Sequence, residues 1–434
     1  MESTSRQPKP ASAPGRGGNL ALLTIAYRNI YRNRRRTALC ISAIAITVFF
    51  IVVFAALMDG LIGNFRRMVI AYETGHVLLT SKQYEKKSLF MPLQYPLDLP
   101  GKDTPTLIRE IERLPGVLRA FPRIKVRVSL LESTVKNALL WGIDLEEELK
   151  YTVFNLKTGN AGGCLVAGRY PAAGANECAI GFGLAARMGV GLGDRVRLRL
   201  VSSEFSSKFY SPVVTGIVDF NFGQMDRNLI IIPFARAQRL ATLTDRTQAL
   251  YVYLDNEADA ERLASVLGGM YAGYEELSIK PFTRHPYITL MKSGEVSMTI
   301  IYLVFMVVAS FLIINTIIMV IHERIKEIGL MAALGMTRRE IVEVFFLESL
   351  ILSGLGSVIG CLASGLATFL VSRVPFDIGS YMGEMMAVNN TLFVTFSPAI
   401  IGQGLLYGLA ISGVCTIFPS LRSAFIEPVE AIRR

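Results

Sequence analysis

The sequence predicts an α-helical membrane protein with four transmembrane helices and a large mixed α+β extracytoplasmic domain between helices 1 and 2. Three observations carry this. Of the 434 residues, 51% are hydrophobic and only 18% charged, against about a quarter charged in ordinary soluble domains. Four charge-free runs each reach the roughly 20 residues needed to cross a hydrocarbon core. The basic excess is concentrated: residues 1–36 carry +7 of the net +10 and end in Arg34, Arg35 and Arg36, directly before the first run. Such a cluster holds a flank on the cytoplasmic side.

In chain order, the Pro-, Ser-, Gly- and Lys/Arg-rich tail 1–18 reads as disordered. Residues 19–36 place Leu20, Leu23, Tyr27 and Ile30 on one helical side, which suits either a cytoplasmic amphipathic helix on the inner surface or an extension of the first span. The spans are Thr37–Met58, Val296–Ile321, Ser349–Ser372 and about Pro398–Leu421. The first is too long for a secretory h-region and lacks a cleavage site, so it is expected to stay. Basic residues then put the segments 322–348 and 422–434 inside, with both termini, and 59–295 and 373–397 outside.

The insertion 59–295 mixes strand-like pieces (His76–Ser81, Ile124–Leu131, Arg195–Leu200, Ala249–Leu254) with helical ones (Thr104–Leu114, Gly183–Met188, Pro233–Leu243, Ala258–Met270). Gly191, Gly193 and Asp194 read as a turn into a strand and not as a phosphate loop, since no helix start follows. Cys164 and Cys178 share this domain, where either a bridge or two free thiols fits. Five cysteines are too few for a disulfide scaffold and too scattered for a zinc ribbon.

Enzymatic chemistry finds little support. There is no H-E-x-x-H, and His76, His285 and His322 lack Ser or Asp company in the sequence. The spans hold no acid for a proton relay. No catalytic, cofactor-binding or metal residue is therefore assigned, and no nucleic-acid partner is expected.

The segment from His322 to Ile341 carries the strongest local signal. Ile325, Ile328 and Met331 or Ala332 keep helical spacing, Gly335 suits a left-handed helix end, and Thr337 and Glu340 have the spacing of a capping box. The result is a short elbow, apolar on one side and charged on the other. Read alone, it suits either a groove on a soluble partner or an ordinary loop between spans.

The run Glu-Arg-x-Lys-Glu-Ile-Gly…Ala-Leu-Gly-Met-x-Arg-Arg-Glu-Ile, the following Leu347-Glu348-Ser349 and the closing Phe418-Pro419-Ser420…Glu427-Pro428-Val429-Glu430-Ala431-Ile432-Arg433 resemble the FtsX-like permease family. In the insertion, Leu139–Asp144, Val213–Arg227 and the following Leu229–Pro233 are similar to its lipoprotein-releasing and macrolide-exporter branches. The resemblance implies a non-catalytic permease subunit of an ABC transporter in the bacterial inner membrane, working as a dimer with a second permease, identical or paralogous. It implies that ATP and Mg are used by a separate dimeric ATPase subunit and not bound by this chain. The sequence has no G-x-x-x-x-G-K-[ST] run, and only 36 residues precede span one, so the ATPase is expected to act in trans.

The residues implied to meet that ATPase are Glu323, Arg324, Glu327, Ile328, Gly329, Leu330, Met331, Leu334, Gly335, Met336, Arg338 and Arg339. Contacts to lipid acyl chains are implied, by position, for Phe50, Val53, Phe54, Met58, Met298, Ile301, Tyr302 and Phe305. The pairs Gly356/Gly360 and Gly404/Gly408 signal close helix approach, within the chain or to a second one. The expected function is release of lipoprotein cargo from the membrane towards a periplasmic carrier. The alternatives are efflux of small molecules through a periplasmic adaptor, or transmembrane signalling to a cell-wall hydrolase.

Overall fold

The computed structural model describes residues 34–131, 133–154, 163–291, part of 299–331, 333–374, 376–377, 391–392 and 394–424. These fall into two compact units. One comprises the described residues up to Asp59, those of Val296–Arg373 and those from Val394 on; the other comprises those of Gly60–Glu295 and Val374–Phe393.

The first unit is helical. Helix α1 (Arg34–Val69) contains the first expected span and continues well past Met58, because Asp59-Gly60 does not break it. The described residues between 299 and 319 are helical, and Ile314 packs on the unit's core. Two helices among the described residues are long and apolar enough to cross a membrane: the one beginning at Thr37 and the one over Arg338–Ser372. A further helix runs over Pro398–Ala424.

The core of this unit is small and made possible by missing side chains. Ile44, Val48 and Val52 of α1 meet Cys361 and Ile411. A Cβ placed on Gly356 would lie 2.9 Å from Ile44, and one on Gly360 only 2.6 Å from the Ala45 carbonyl oxygen. Gly404 is equally tight against Val52, and Gly408 against Ser357 and Val48. Both glycine pairs thus serve packing inside one chain, the backbones approaching where no side chain stands between them.

The second unit is a mixed α/β domain around one large sheet. The strands are β1 (Val77–Ser81), β2 (Val117–Leu130), β3 (Asn137–Gly142), β4 (Leu165–Gly168), β5 (Glu177–Gly181), β6 (Leu198–Val201), β7 (Ser207–Tyr210), β8 (Val213–Val218), β9 (Leu229–Ile232), β10 (Ala249–Leu254) and β11 (Leu277–Pro281). Their order is β11-β1-β10-β2-β3-β9-β5-β8-β4, with β6 pairing β2 and β7. The 14-residue β2 is the common member: Val117–Arg123 pairs with β10, and Ile124–Ser129 with β3. Thr104–Glu112, Phe182–Met188, Phe234–Ala241 and Ala260–Met270 are the principal helices around it. Asp103 caps the first of these, accepting from the Thr106 N–H at 3.2 Å.

Period two distributes the side chains. Cys178, Ile180, Ile230 and Ile232 enter one core cluster, while their neighbours Ala179, Leu229 and Ile231 enter another with Cys164. Cys164 and Cys178 are both free. The bridge left open by their spacing is therefore not made: the sheet stands between them. Burial raises both thiols to about 12, so neither is a reactive thiolate.

The elements that the sequence predicts differ from the observed ones mainly at their ends. The first strand starts at Val77, β2 begins seven residues earlier than Ile124, and the regular ladder of β6 starts only at Leu198, Arg195 making an isolated bridge to Val213. Seven strands carry no clear periodicity in the sequence, three of them only four residues long. Gly193 takes φ +89°, and the Gly191 N–H donates to the Asp194 carboxylate at 2.8 Å, as a turn requires.

One loop of this unit is pH-sensitive. Asp226 accepts from the Phe220 and Phe222 N–H groups at 2.7 and 2.9 Å. Burial, with Asp219 nearby, raises its carboxyl to about 7 despite those two donors. Between about pH 4 and 7 native Asp226 therefore holds a proton that the unfolded chain has released. Its contribution to stability is full below about pH 4 and declines as pH rises towards 7, by at most about 1.4 kcal/mol per pH unit. Unfolding of the detergent-solubilised chain between pH 4 and 8 should show this slope, and Asp226→Asn should flatten it relative to wild type.

Candidate functional site

Among the described residues, two places bear on function: the elbow before the Arg338–Ser372 helix, and the far end of α1. The elbow comes first because sequence motifs point to it. A helical turn ends with the Leu334 N–H donating to Leu330 O at 3.0 Å and the Met336 N–H to Met331 O at 3.1 Å. The second of these, closing six residues, is the bond of a Schellman-type ending, and Gly335 at φ +94° supplies its left-handed residue. Thr337 restarts the chain: its hydroxyl accepts from the Glu340 N–H, and the Glu340 carboxylate accepts from the Thr337 N–H at 2.8 Å. This is the reciprocal capping box that Thr337-x-x-Glu340 predicts. That backbone N–H and the Thr337 hydroxyl hold the Glu340 carboxyl below its ordinary range.

On this frame Leu330 and Leu334, four residues apart, are 58% and 78% exposed. Met331 and Met336 are half-buried, Arg338 and Arg339 are exposed, and Arg339 reaches Glu343 at 3.1 Å. Glu323, Arg324, Glu327, Ile328 and Gly329 lie outside the described residues. The elbow as described is a rigid corner with two bare leucines followed by two arginines. It has no donor set for a metal, and no cluster of His, Cys, Asp or Glu among the described residues could hold one.

The second expected set divides in the same way. On α1, Ile44, Val48, Val52 and Ala56 form the packed stripe. Phe50 is 64% exposed on another side, and Val53, Phe54 and Met58 are half-buried. At 100° per residue, Phe50, Val53, Phe54 and Met58 form a stripe of their own. Met298, Ile301, Tyr302 and Phe305 lie outside the described residues.

The far end of α1 was not legible as a site. A π-helical turn, Ile70–Thr74, follows Val69 and leads into β1. Around it sit Arg123, Lys125 and Glu148, all buried. In sequence, Arg119-x3-Arg123-x-Lys125-x-Arg127 reads as the wet side of a strand; nothing there signals that two of these four cations are enclosed.

Comparison with known proteins now bears on both places. The family model "FtsX-like permease C-terminal" matches residues 299–428, and "MacB-like periplasmic core domain" matches 37–268, more than half of the chain. The chain belongs to the FtsX-like, MacB-type family of ABC transporter permeases. As a permease of this family it resides in the inner membrane and works with an ATPase. It is similar to the lipoprotein-releasing system transmembrane protein LolC of Neisseria meningitidis, with 22% identity over 78% of this chain and 83% of that protein. It is also similar to LolE of Haemophilus influenzae, at 24% over 58% and 63%. The macrolide export ATP-binding/permease protein MacB of Nitrobacter winogradskyi is 24% identical over 49% of this chain and 28% of its own length. The elbow lies inside the first matched region, and α1, the π turn and nearly the whole sheet lie inside the second.

Proposed function

We propose that this permease spans the inner membrane four times with both termini in the cytoplasm, and that it releases lipoproteins from the membrane under the drive of a separate ATPase. The observation that supports the cargo assignment is the extent of likeness: a lipoprotein-releasing transmembrane protein matches 78% of this chain, an export ATP-binding/permease protein 49%. The apolar stripe through Phe50 supports it, since a lipid-linked substrate needs apolar side chains at the outer ends of spans. Withdrawing an acyl chain costs about 0.8 kcal/mol per CH₂, so both a receiving surface and external work are required. Met298, Ile301, Tyr302 and Phe305 are proposed to face the same chains from the second span.

In this reading the elbow from Glu323 to Arg339 docks on the ATPase, with Leu330 and Leu334 as apolar anchors and Arg338 and Arg339 as its charged rim. A second permease, identical or paralogous, completes the assembly, and ATP and Mg stay with the ATPase. Affinity purification from native membranes tests the assignment. Acylated protein should accompany the chain before ATP is added and leave afterwards. Absence of lipid-linked cargo, together with drug sensitivity of a deletion strain, would select efflux through a periplasmic adaptor instead.

Gly335→Leu tests the elbow. Nothing lies within 4 Å of the added Cβ, so the change acts through backbone alone, at about 1–2 kcal/mol for a non-glycine residue held left-handed. Membrane insertion should be normal, while cargo release per ATP hydrolysed should fall several-fold. Wild-type coupling in this variant would show that the elbow is not the contact.

A further inference from the structure

A helix ends with carbonyl groups that have no partner inside it and with a partial negative charge. At a surface, water satisfies both. The π turn that continues and ends α1 is instead buried: Ile70, Ala71, Tyr72 and Thr74 are all inside. Its carbonyls are met by two cations from one strand. Arg123 Nη1 donates to Ala71 O at 2.8 Å, and Lys125 Nζ donates to Tyr72 O. Both come from the same face of β2 because they are two residues apart.

Neither cation stands alone. Arg123 pairs with Glu148 at 2.6 Å, and both side chains are wholly buried. Its Nη2 also donates to the Tyr253 hydroxyl at 2.8 Å, and the guanidinium lies 4.1 Å from the Tyr251 ring centroid. Lys125 is balanced by Glu73 at 3.3 Å. Tyr72 is held at its other end, where its hydroxyl donates to Phe154 O at 2.5 Å among the rings of Trp141, Phe154, Phe220 and Phe222. The contacts of Arg123 and Lys125 break only by exposing or orphaning a buried charge. The turn that continues α1 is thus tied to β2 through its carbonyls and to the aromatic cluster through Tyr72.

We infer that Arg123, Lys125 and Glu148 form a transmission joint, fastening the end of α1 to β2 so that displacement of the helix is delivered to the outer sheet instead of being absorbed in its final turn. The inference rests on the permease reading for the origin of the displacement, but the joint belongs to this chain alone. The three residues are positioning residues: they act through α1.

The test uses the full-length chain in nanodiscs with its ATPase. Spin labels are placed at the exposed positions Leu39, near the start of α1, and Arg262 in the outer unit. The variant Arg123→Met with Glu148→Met removes both charges at similar volume, a change that commonly preserves folding. It should keep ATP hydrolysis but lose most of the ATP-dependent change in label distance. Amide exchange at Gly75 and His76, whose N–H groups bond Ile70 O and Val252 O, should accelerate by about tenfold or more. Arg123→Lys, which retains a buried cation, should restore part of the distance change. Lys125→Met alone removes one of the two carbonyl contacts and keeps the proposal open to refutation if the double variant does not fold. Full distance change with unaltered exchange in these variants would overturn the joint. No ATP-dependent change in wild type would overturn the permease reading and the transmission role with it, while the exchange arm would still decide whether the three residues hold the helix end.

Discussion

Glu148→Ala is expected to destabilise the α/β unit by about 3–5 kcal/mol. The reason is the charge left behind. Arg123 is wholly buried, and its other partners, the Ala71 carbonyl and the Tyr253 hydroxyl, are neutral. Burial pushes the Glu148 carboxyl up, and the guanidinium beside it pulls it back. For Arg123, burial works against the charge, but Glu148 and the two tyrosines more than offset it. Removing Glu148 takes away the largest offset and leaves burial opposed only by the two tyrosines. The single tryptophan, Trp141, is fully buried with the Arg123 guanidinium 5.7 Å from its ring, so its fluorescence reports local unfolding directly. Denaturant titration of the detergent-solubilised chain should show the loss. A shift under 1 kcal/mol would mean that water reaches the pair.

Gly360→Leu is expected to be the most disruptive change in the helical unit. The new side chain would start 2.6 Å from the Ala45 carbonyl oxygen and 2.9 Å from the Val48 Cβ. Neither obstacle is the flexible end of a side chain, so α1 has to move away, and overpacking of this kind costs about 1–3 kcal/mol or more. Gly402→Leu is the matched control, since nothing lies within 4 Å of its Cβ. Helix interiors disfavour glycine, so the control should be neutral or slightly stabilised. Thermal stability in detergent, followed by retention of monodisperse protein, separates the two. Equal behaviour would remove the case for close contact between α1 and the Arg338–Ser372 helix.

These two changes mark what sequence reasoning reaches. Gly356/Gly360 and Gly404/Gly408 announce close approach by spacing alone, and the structure adds which neighbours fill the gap. The capping box at Thr337 and the turn at Gly335 are equally local and equally legible, because their hydrogen bonds join residues three to five apart. Strand β10 is read correctly over Ala249–Leu254, a continuous apolar run buried throughout.

What escapes is non-local. Asp59-Gly60 looks like the end of a span, yet the helix carries on to Val69, and Gly60 is buried. The fate of Cys164 and Cys178 depends on which face of a sheet each occupies, a fact held by strands β5 and β8 and not by the 14 positions between them. Arg123 and Lys125 alternate with apolar neighbours as on any half-wetted strand. Only the arrival of the α1 end, some 50 residues earlier in the chain, turns the expected wet face into an interior.

The placement of these two cations also forbids slippage. A shift of β2 by one position would turn Ile124 and Val126 towards the helix carbonyls and drive both positive charges into the aliphatic layer of Leu140, Ile180 and Ile230. Either half of that exchange is ruinous, so the long shared strand has a single admissible frame. A one-residue insertion in the loop before Val117 can be absorbed there, whereas the same insertion between Phe121 and Ile124 cannot.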